Sequence, residues 1–238
     1  MLDFLDPYDI RAKIAPALVI ALPGGVAVAA LVTNEQTPYL NWVAGISGMA
    51  VAVLVATLVR DRGKAQESKL FASWGGKPTS CLMRRSDGTI DGLLKIRYRL
   101  NLEKIVAGFV SPTQQDEVRD PYGADRQYEM AAKWLIEHTT DKAKFPKVFA
   151  HNCGYGFRRN LFGSRDYGFM SSGVATGIAI WLLYHSGFTG SAILASIAAV
   201  GGWLIFGIAV NSDYVRRAGF DYGEHLIAAS DSLAGDKK

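Results

Sequence analysis

Two short stretches of the sequence place basic side chains next to aromatic rings, a combination that can bind phosphate-bearing molecules. Arginine forks match the geometry of phosphate oxygens, and aromatic rings can stack on nucleobases. Two glycines in the second stretch, Gly154 and Gly156, would let the backbone approach an anion closely. The sequence therefore predicts a site for a nucleotide or a short oligonucleotide. Its expected ligand-binding residues are Lys95, Arg97, Tyr98, Arg99, Tyr155, Phe157, Arg158 and Arg159.

The same basic residues have a second explanation that needs no ligand. Lys and Arg beside membrane segments stay on the cytoplasmic side and are attracted to anionic lipid headgroups. This explanation fits Arg158, Arg159 and Arg165, which closely precede an apolar segment. It fits Arg97 and Arg99 less well, because they are far along the chain from any apolar segment. Both explanations remain open on the sequence alone.

Enzymatic chemistry has weaker support. His151 and Cys153 lie two residues apart and could form a thiol–imidazole nucleophile, but no residue that would orient the imidazole is identifiable. The acidic residues between 116 and 125 match no cation-binding loop, and acids are common where helices begin. The sequence has no P-loop, HExxH or CxxC motif. We therefore predict a non-enzymatic protein without catalytic residues, metal ligands or cofactors; a thiol-dependent or lipid-modifying enzyme is the lesser alternative.

The elements that must position these residues are four uncharged apolar segments and the polar stretch between them. The first segment has nineteen residues, and as a helix it would measure roughly 28 Å, close to a hydrocarbon core of ~30 Å. A hydrophobic content of 49% and a mean hydropathy of +0.10 hide these segments by averaging them with the polar part. The sequence predicts four transmembrane helices in two hairpins: 14–32 with 40–59, and 168–184 with 192–210.

The distribution of charge predicts the orientation of these helices. All 26 Lys and Arg residues lie outside the four segments, and the connectors 33–39 and 185–191 contain none. Both termini and the stretch 60–166 are therefore expected on the cytoplasmic side of a cell inner membrane. No charged residue lies within a segment, which argues against an ion-coupled pump. Small residues four apart, such as Gly173 and Gly177, would support helix packing within the chain or in a homo-oligomer.

The stretch 60–166 carries patterns of both strands and helices. Apolar and polar residues alternate over 94–100, which predicts a half-buried strand with a basic outer face and 83–85 as its hairpin partner. A second strand is expected at 145–150, and helical spacing around Tyr128 predicts a helix. The expected fold class is membrane all-α with an inserted small α+β cytoplasmic domain. The expected domains are 1–59 with the first hairpin, 60–166 for sensing, 167–210 with the second hairpin, and the cytoplasmic tail 211–238.

Two motifs, WGGKPT at 74–79 and YGFRRN at 155–160, look like those of a family of uncharacterised bacterial inner-membrane proteins. The overall plan also resembles the membrane effectors of bacterial antiphage systems, the Hailong channel component among them. This resemblance implies a cytoplasmic nucleotide-sensing domain that is coupled to membrane helices and disrupts the membrane when triggered. It assigns no individual residue, since no functional position of those effectors can be matched one by one.

The expected function is that of an oligomeric inner-membrane effector or ligand-gated ion channel in antiphage defence. Its expected partners are the lipid bilayer, further copies of the chain, and a nucleotide or short oligonucleotide sensed by the cytoplasmic domain. A different class is also open: a non-channel scaffold that anchors a cytoplasmic protein partner at the membrane. Ion flux separates the two classes, because a scaffold conducts none.

Overall fold

The computed structural model describes the backbone of residues 6–34 and 38–235, and the side chains of 6–33 and 56–235. Within the described backbone, helices are the only regular elements. In chain order the α-helices are α1 (Pro7–Asp9), α2 (Ala15–Asn34), α3 (Pro38–Trp74), α4 (Pro78–Met83), α5 (Gly92–Ile105), α6 (Gln114–Arg119), α7 (Pro121–His138), α8 (Pro146–Gly163), α9 (Arg165–Ser186), α10 (Gly190–Leu204), α11 (Ser212–Ala228) and α12 (Ser230–Gly235), with π-helical turns at Ile10–Ile14 and Ile205–Ala209.

The chain divides into two compact units. The first unit comprises Met1–Glu67 and Gly156–Val215, and the second comprises Ser68–Tyr155 and Arg216–Lys238. Three helices, α3, α8 and α11, each begin in one unit and end in the other. The units therefore divide inside helices, whereas the domain limits expected from the sequence follow the ends of the apolar segments.

The first unit contains a bundle of α2, α9 and α10 with small side chains on its inside. Small residues let helix backbones approach closely, which is how helices associate in lipid. Large apolar side chains lie on the outside instead, and Leu22, Ile180 and Ile197 are each more than half exposed. The inner faces of the three helices are formed by Ala27, Ala30, Ala175, Ala179, Leu182, Ala192, Ala195 and Ala199.

Three helical stretches of the first unit are long and apolar enough to cross a membrane: Pro7–Thr33, Arg165–Ser186 and Gly190–Ala209. They coincide with three of the four predicted segments, and their length and composition are those of a membrane protein. The remaining predicted segment, 40–59, lies within α3, but its side chains as far as residue 55 lie outside the described residues. Three of the four predicted transmembrane helices are thus candidates among the residues that the structure describes, and the fourth stays a prediction.

A proline in the middle of α2 lies at a close contact among the three helices. Pro23 has no N–H and disturbs the hydrogen bonds of its own turn, and a neighbouring helix supplies a replacement. The N–H of Gly24 donates to Oγ of Ser171 on α9 at 2.9 Å. Gly202 on α10 faces the same region, because a Cβ there would lie 2.3 Å from Oγ of Ser172 and 2.8 Å from Cγ of Pro23. The helices can approach this closely only because Gly202 has no side chain.

The second unit has its core around Tyr128 of α7, whose side chain is fully buried. Asp120 caps the start of α7 by accepting from the N–H of Gly123 at 2.9 Å. The helix predicted around Tyr128 is confirmed. Apolar residues from five helices form this core: Leu82, Met83, Tyr98, Leu102, Ile105, Leu135, Val148, Leu226 and Ile227.

The strand predicted at 94–100 is wrong, because these residues lie inside α5. Asp91 caps this helix by accepting from the N–H groups of Leu93 and Leu94. The buried face of α5 recurs at helical spacing, as Lys95, Tyr98, Arg99, Leu102 and Ile105. Two basic residues belong to that buried face, whereas the alternating pattern assigned every basic residue to solvent. Leu94, Ile96 and Leu100, which the strand would have buried, are exposed instead.

The other two strand predictions are also wrong. Residues 146–150 form the start of α8, and Phe145, just before it, is buried together with Val148 three positions later. Pro146 is the first residue of that helix, where its missing N–H costs no hydrogen bond. Met83 is the last residue of α4, and Arg84 follows it with an extended backbone. The inserted part of the chain is therefore all-α within the described residues, and the α+β domain is not present there.

Candidate functional site

The residues predicted to bind a ligand are divided between the two units. Lys95, Arg97, Tyr98, Arg99 and Tyr155 belong to the second unit. The others belong to the first unit: Phe157, Arg158 and Arg159. Lys95, Arg97 and Arg99 donate hydrogen bonds to residues of the second unit, and Arg158 and Arg159 donate to residues of the first.

Lys95 is a buried structural cation. It is only 4% exposed, and its Nζ donates to the backbone oxygens of Arg84, at 3.0 Å, and of Asp87. The carboxylate of Asp87 lies 3.4 Å away. Burial lowers the pKa of Lys95, and the nearby negative charge of Asp87 opposes that shift. Lys95 therefore fastens the turn that follows α4 onto α5, and little of its amine faces solvent.

Arg99 is the second buried cation of α5. Its Nη2 donates to the backbone oxygen of Met83, while its buried Nε has no partner among the described residues. Burial lowers the pKa of Arg99. The hydroxyl of Tyr128 donates to Oε1 of Glu117 at 2.6 Å, and the pKa of Tyr128 is raised by burial first and by this bond second. A free ligand would have to open this core to reach Arg99.

The glycine-rich motif at 74–79 joins α3 to α4 and is held by Arg84. Gly75 and Gly76 have φ angles of 81° and 144°, which L-residues with side chains rarely adopt. Arg84 donates from Nη2 to the backbone oxygen of Gly75 at 2.8 Å, and from Nε to Asp125 at 2.9 Å. The hydrogen bond to Asp125 is the main reason that the pKa of Arg84 is raised. This motif has a structural role that needs no bound phosphate.

Both tyrosines of the predicted site are buried. Tyr98 is 7% exposed and belongs to the core. Tyr155 is 8% exposed, its ring is parallel to that of Tyr222 with centroids 6.3 Å apart, and it packs beside Gly219. Neither ring presents a free face on which a base could stack.

Arg159 forms a buried polar cluster in the first unit. Its Nη1 donates to Oε1 of Glu67 at 2.6 Å, and its Nε and Nη2 donate to Oδ1 of Asn160 at 3.1 and 3.0 Å. The amide of Asn160 in turn donates to the backbone oxygen of Ala12 at 2.6 Å. These bonds connect α3, α8 and the π-helical turn Ile10–Ile14. Arg159 is 7% exposed, so its main role in this structure is to hold those three elements.

Arg158 and Phe157 lie near the ends of the candidate membrane helices. Arg158 donates to the backbone oxygen of Tyr214 at 3.2 Å, and its guanidinium lies 4.6 Å from the centroid of that ring. Phe157 packs against the apolar core of the same unit. Arg165, at the start of α9, donates to the backbone oxygen of Val210 at 3.4 Å. Basic side chains beside aromatic rings are typical of the headgroup region, which fits the lipid explanation of these residues.

Arg97 is the one predicted cation of the second unit that is exposed. Its side chain retains 55% of its accessible surface, and its Nη2 donates to Oδ2 of Asp231 at 2.6 Å. Asn101, one helical turn further along α5, donates to the other oxygen of the same carboxylate at 2.7 Å. Lys104 lies at the next position of this face. Arg97, Asn101, Lys104 and Asp231 line a cavity of about 590 Å³ together with Ile105, Ala234 and Gly235. We call this cavity the α5–α12 groove.

The residues considered for the alternative chemistries all lie in the second unit. Cys153 is buried, and the ring of His151 stacks on His225 at a centroid distance of 3.8 Å. Burial and the charge of His225 lower the pKa of His151. Among the acids between 116 and 125, Asp116 caps α6 with Thr113. The described residues contain no group of three or more His, Cys, Asp or Glu side chains that could hold a metal ion.

Comparison with protein-family models, with curated proteins and with solved structures gives no match for this chain.

Sequence reasoning missed the residues that complete this site. Asn101 and Lys104 follow Arg97 at positions i+4 and i+7, a spacing that places all three on one face of a helix. A helical interpretation of 92–105 would have found them. Asp231 carries no such signal, because it is 134 residues from Arg97 in the chain.

Proposed function

We propose that the chain is an oligomeric effector or ligand-gated ion channel of the cell inner membrane. In this proposal the second unit senses a nucleotide or a short oligonucleotide, and the membrane helices of the first unit respond. The observation that carries the proposal is the division of α3, α8 and α11 between the two units. A simple anchor needs one connection, whereas three helices that belong to both units can pass a change in one to the other.

The pore of such a channel would have to lie between copies of the chain. The inside of the α2, α9 and α10 bundle is filled with alanine side chains. Two of its hydroxyl groups donate within their own helix: Ser172 donates to the backbone oxygen of Gly168, and Thr176 donates to that of Ser172, both at 2.8 Å. A filled bundle with satisfied polar groups offers no path for ions. Its outer apolar faces support association in the membrane.

The orientation of the proposed channel follows from its basic residues. The first unit has basic side chains at the start of α9 and just before α2, and the connector between α9 and α10 has none. The second unit and both termini then lie in the cytoplasm. The resemblance to antiphage membrane effectors supports a role in defence, in which ligand sensing would change the permeability of the inner membrane.

Ion flux through liposomes tests this proposal. Purified protein in liposomes of bacterial-type lipid should release a trapped ion, and a short single-stranded oligodeoxynucleotide should change the rate of release. Two variants accompany this measurement. Gly202→Ala should disturb the bundle, and Gly201→Ala is its control because a Cβ there meets nothing within 4 Å. Absence of flux from correctly inserted protein, with and without the oligonucleotide, would contradict the proposal.

A non-channel scaffold is the second candidate, and one feature of the second unit favours it. Leu93, Ile96 and Leu100 form a stripe along α5 at helical spacing and are 79%, 52% and 50% exposed. Exposed apolar stripes often bind a protein partner. For this function the chain would conduct no ions, and Ile96→Asp would abolish recruitment of the partner. The flux measurement therefore separates the two candidates.

A further inference from the structure

The α5–α12 groove holds a carboxylate in the way that proteins hold a phosphate. Arg97 and Asn101 donate to the two oxygens of Asp231 at 2.6 and 2.7 Å. A guanidinium and an amide N–H placed side by side are common donors to phosphate oxygens. Lys104 lies on the same face and adds a second positive charge. The donors would suit a phosphate group as well as they suit Asp231.

The carboxylate in this position is open to exchange. The side chains of Arg97 and Asp231 keep 55% and 36% of their accessible surface, so solvent reaches the pair. Exposed ion pairs stabilise a structure little, and a phosphate with more charge competes well for the same cations. The cavity of about 590 Å³ beside them leaves room for the sugar or base of a ligand.

The helix that carries Asp231 is short. α12 has six residues, and a helix of that length is not stable without its packing and polar contacts. Leu233 and Ala234 are only partly buried against the core of the second unit. Loss of the contacts to Asp231 would therefore loosen α12 from α5.

We propose that Arg97, Asn101 and Lys104 bind the phosphate group of a nucleotide or oligonucleotide, and that Asp231 occupies this position while the ligand is absent. The ligand displaces Asp231 and releases α12 from α5. This inference names the binding site for the ligand on which the proposed function rests. It keeps Arg97 as a ligand-binding residue and adds Asn101 and Lys104 beside it in the groove. The buried Lys95 and Arg99 have structural roles.

Binding of a fluorescent single-stranded oligodeoxynucleotide tests the groove. The full chain is placed in nanodiscs of phosphatidylcholine, which carry no net charge, at low ionic strength, and fluorescence anisotropy gives Kd. We expect Asp231→Asn to tighten binding by about tenfold, and Arg97→Gln and Lys104→Gln each to weaken it by about tenfold. Lys133→Gln is the matched control, because Lys133 is exposed on α7 and does not line the groove.

Hydrogen exchange of residues 230–235 tests the displacement separately. Addition of the oligonucleotide should speed exchange in α12 of the wild-type chain. If Asp231 only anchors α12, Asp231→Asn speeds exchange but leaves Kd unchanged, and the inference is overturned. Unchanged Kd in Arg97→Gln and Lys104→Gln also overturns it. Binding at the groove without ion flux would instead contradict the proposed channel and leave the site intact.

Discussion

At the scale of single residues, buried cations stabilise each of the two units from within. Lys95, Arg99 and Arg159 are each less than a tenth exposed, and each donates to backbone oxygens or to polar side chains. A buried charge is costly unless its donors are satisfied, so these contacts are required for folding. Arg97 differs from them because its side chain is exposed, and so is that of its partner Asp231. The basic residues of the predicted site thus include buried ones with a structural role and an exposed one, Arg97.

Removal of Arg159 should destabilise the first unit. Arg159→Ala removes the ion pair to Glu67 and two hydrogen bonds to Asn160, and we expect the free energy of unfolding to fall by about 2–4 kcal/mol. Denaturant titration of the detergent-solubilised protein, followed by circular dichroism, measures this loss. Arg62→Ala is the control: Arg62 and Asp166 are exposed and 3.7 Å apart, so its loss should stay below about 1 kcal/mol. Equal losses in the two variants would show that the buried cluster has no special role.

The stacked histidines should make the second unit less stable in acid. The pKa of His151 is lowered in the folded chain, by burial first and then by the charge of His225, so the unfolded chain binds a proton more readily. The contribution to stability is complete above the ordinary pKa of 6.5 and is lost as the pH falls below that value. The other nearby charges, Asp221, Glu224 and Lys147, do not reverse this direction.

Thermal unfolding at pH 7.5 and 5.5 measures this effect. The Tm of the wild-type chain should be lower at pH 5.5, and His151→Phe should reduce the difference between the two pH values. His138→Gln removes an exposed imidazole from α7 and should retain the wild-type difference. An identical pH dependence in His151→Phe and the wild-type chain would exclude His151 as its source.

At the scale of elements, α5 decides how the second unit is built. Its sequence fits an alternating strand pattern as well as a helix, and the two interpretations bury different residues. Leu100 is 50% exposed in the helix, whereas Leu102 is fully buried. A strand would have buried both residues on the same face.

Truncation of these two leucines therefore tests the helix directly. Leu102→Ala should lower the free energy of unfolding by about 2–4 kcal/mol, since it leaves a cavity in the core. Leu100→Ala should change it by less than about 0.5 kcal/mol, because an exposed side chain loses few contacts. Denaturant titration of both variants gives the comparison. A large loss from Leu100→Ala would contradict the helical assignment of α5.

The bundle of the first unit depends on one glycine. Gly202→Ala places a methyl group against Pro23 and Ser172, and we expect a loss of about 1–3 kcal/mol from overpacking. Gly201→Ala adds the same methyl group where nothing lies within 4 Å, and should leave the stability unchanged or slightly raised. Thermal unfolding in detergent compares the two. Similar Tm values would mean that α2 and α10 do not pack closely at Pro23.

The apolar segments and the helix α7 could be predicted from the sequence, whereas the helical state of 94–100 and 145–150 and much of the site could not. Long uncharged apolar runs indicate transmembrane helices, and the spacing of Tyr128, Ala131 and Leu135 is unambiguously helical. The strand prediction at 94–100 failed because Lys95 buries its amine on backbone oxygens, which no local pattern reveals. Asp231 pairs with Arg97 across most of the chain, so only the fold brings them together.

At the scale of the whole molecule, the proposed function depends on how the two units communicate. The chain passes between them within α3, α8 and α11. Release of α12 by a ligand in the α5–α12 groove would alter the second unit, and the shared helices would carry that change to the first. A channel formed between copies could then open or close. Chains that cannot release α12 should therefore lose their response to the ligand while they keep their basal conductance.

Recording from single channels in a planar bilayer tests this account most directly. Purified protein is inserted in one orientation, and a short single-stranded oligodeoxynucleotide is added first to one side and then to the other. The account predicts discrete unitary currents whose open probability changes only when the oligonucleotide reaches the side that holds the second unit. Absence of unitary currents from inserted protein, or equal responses from both sides, would contradict it.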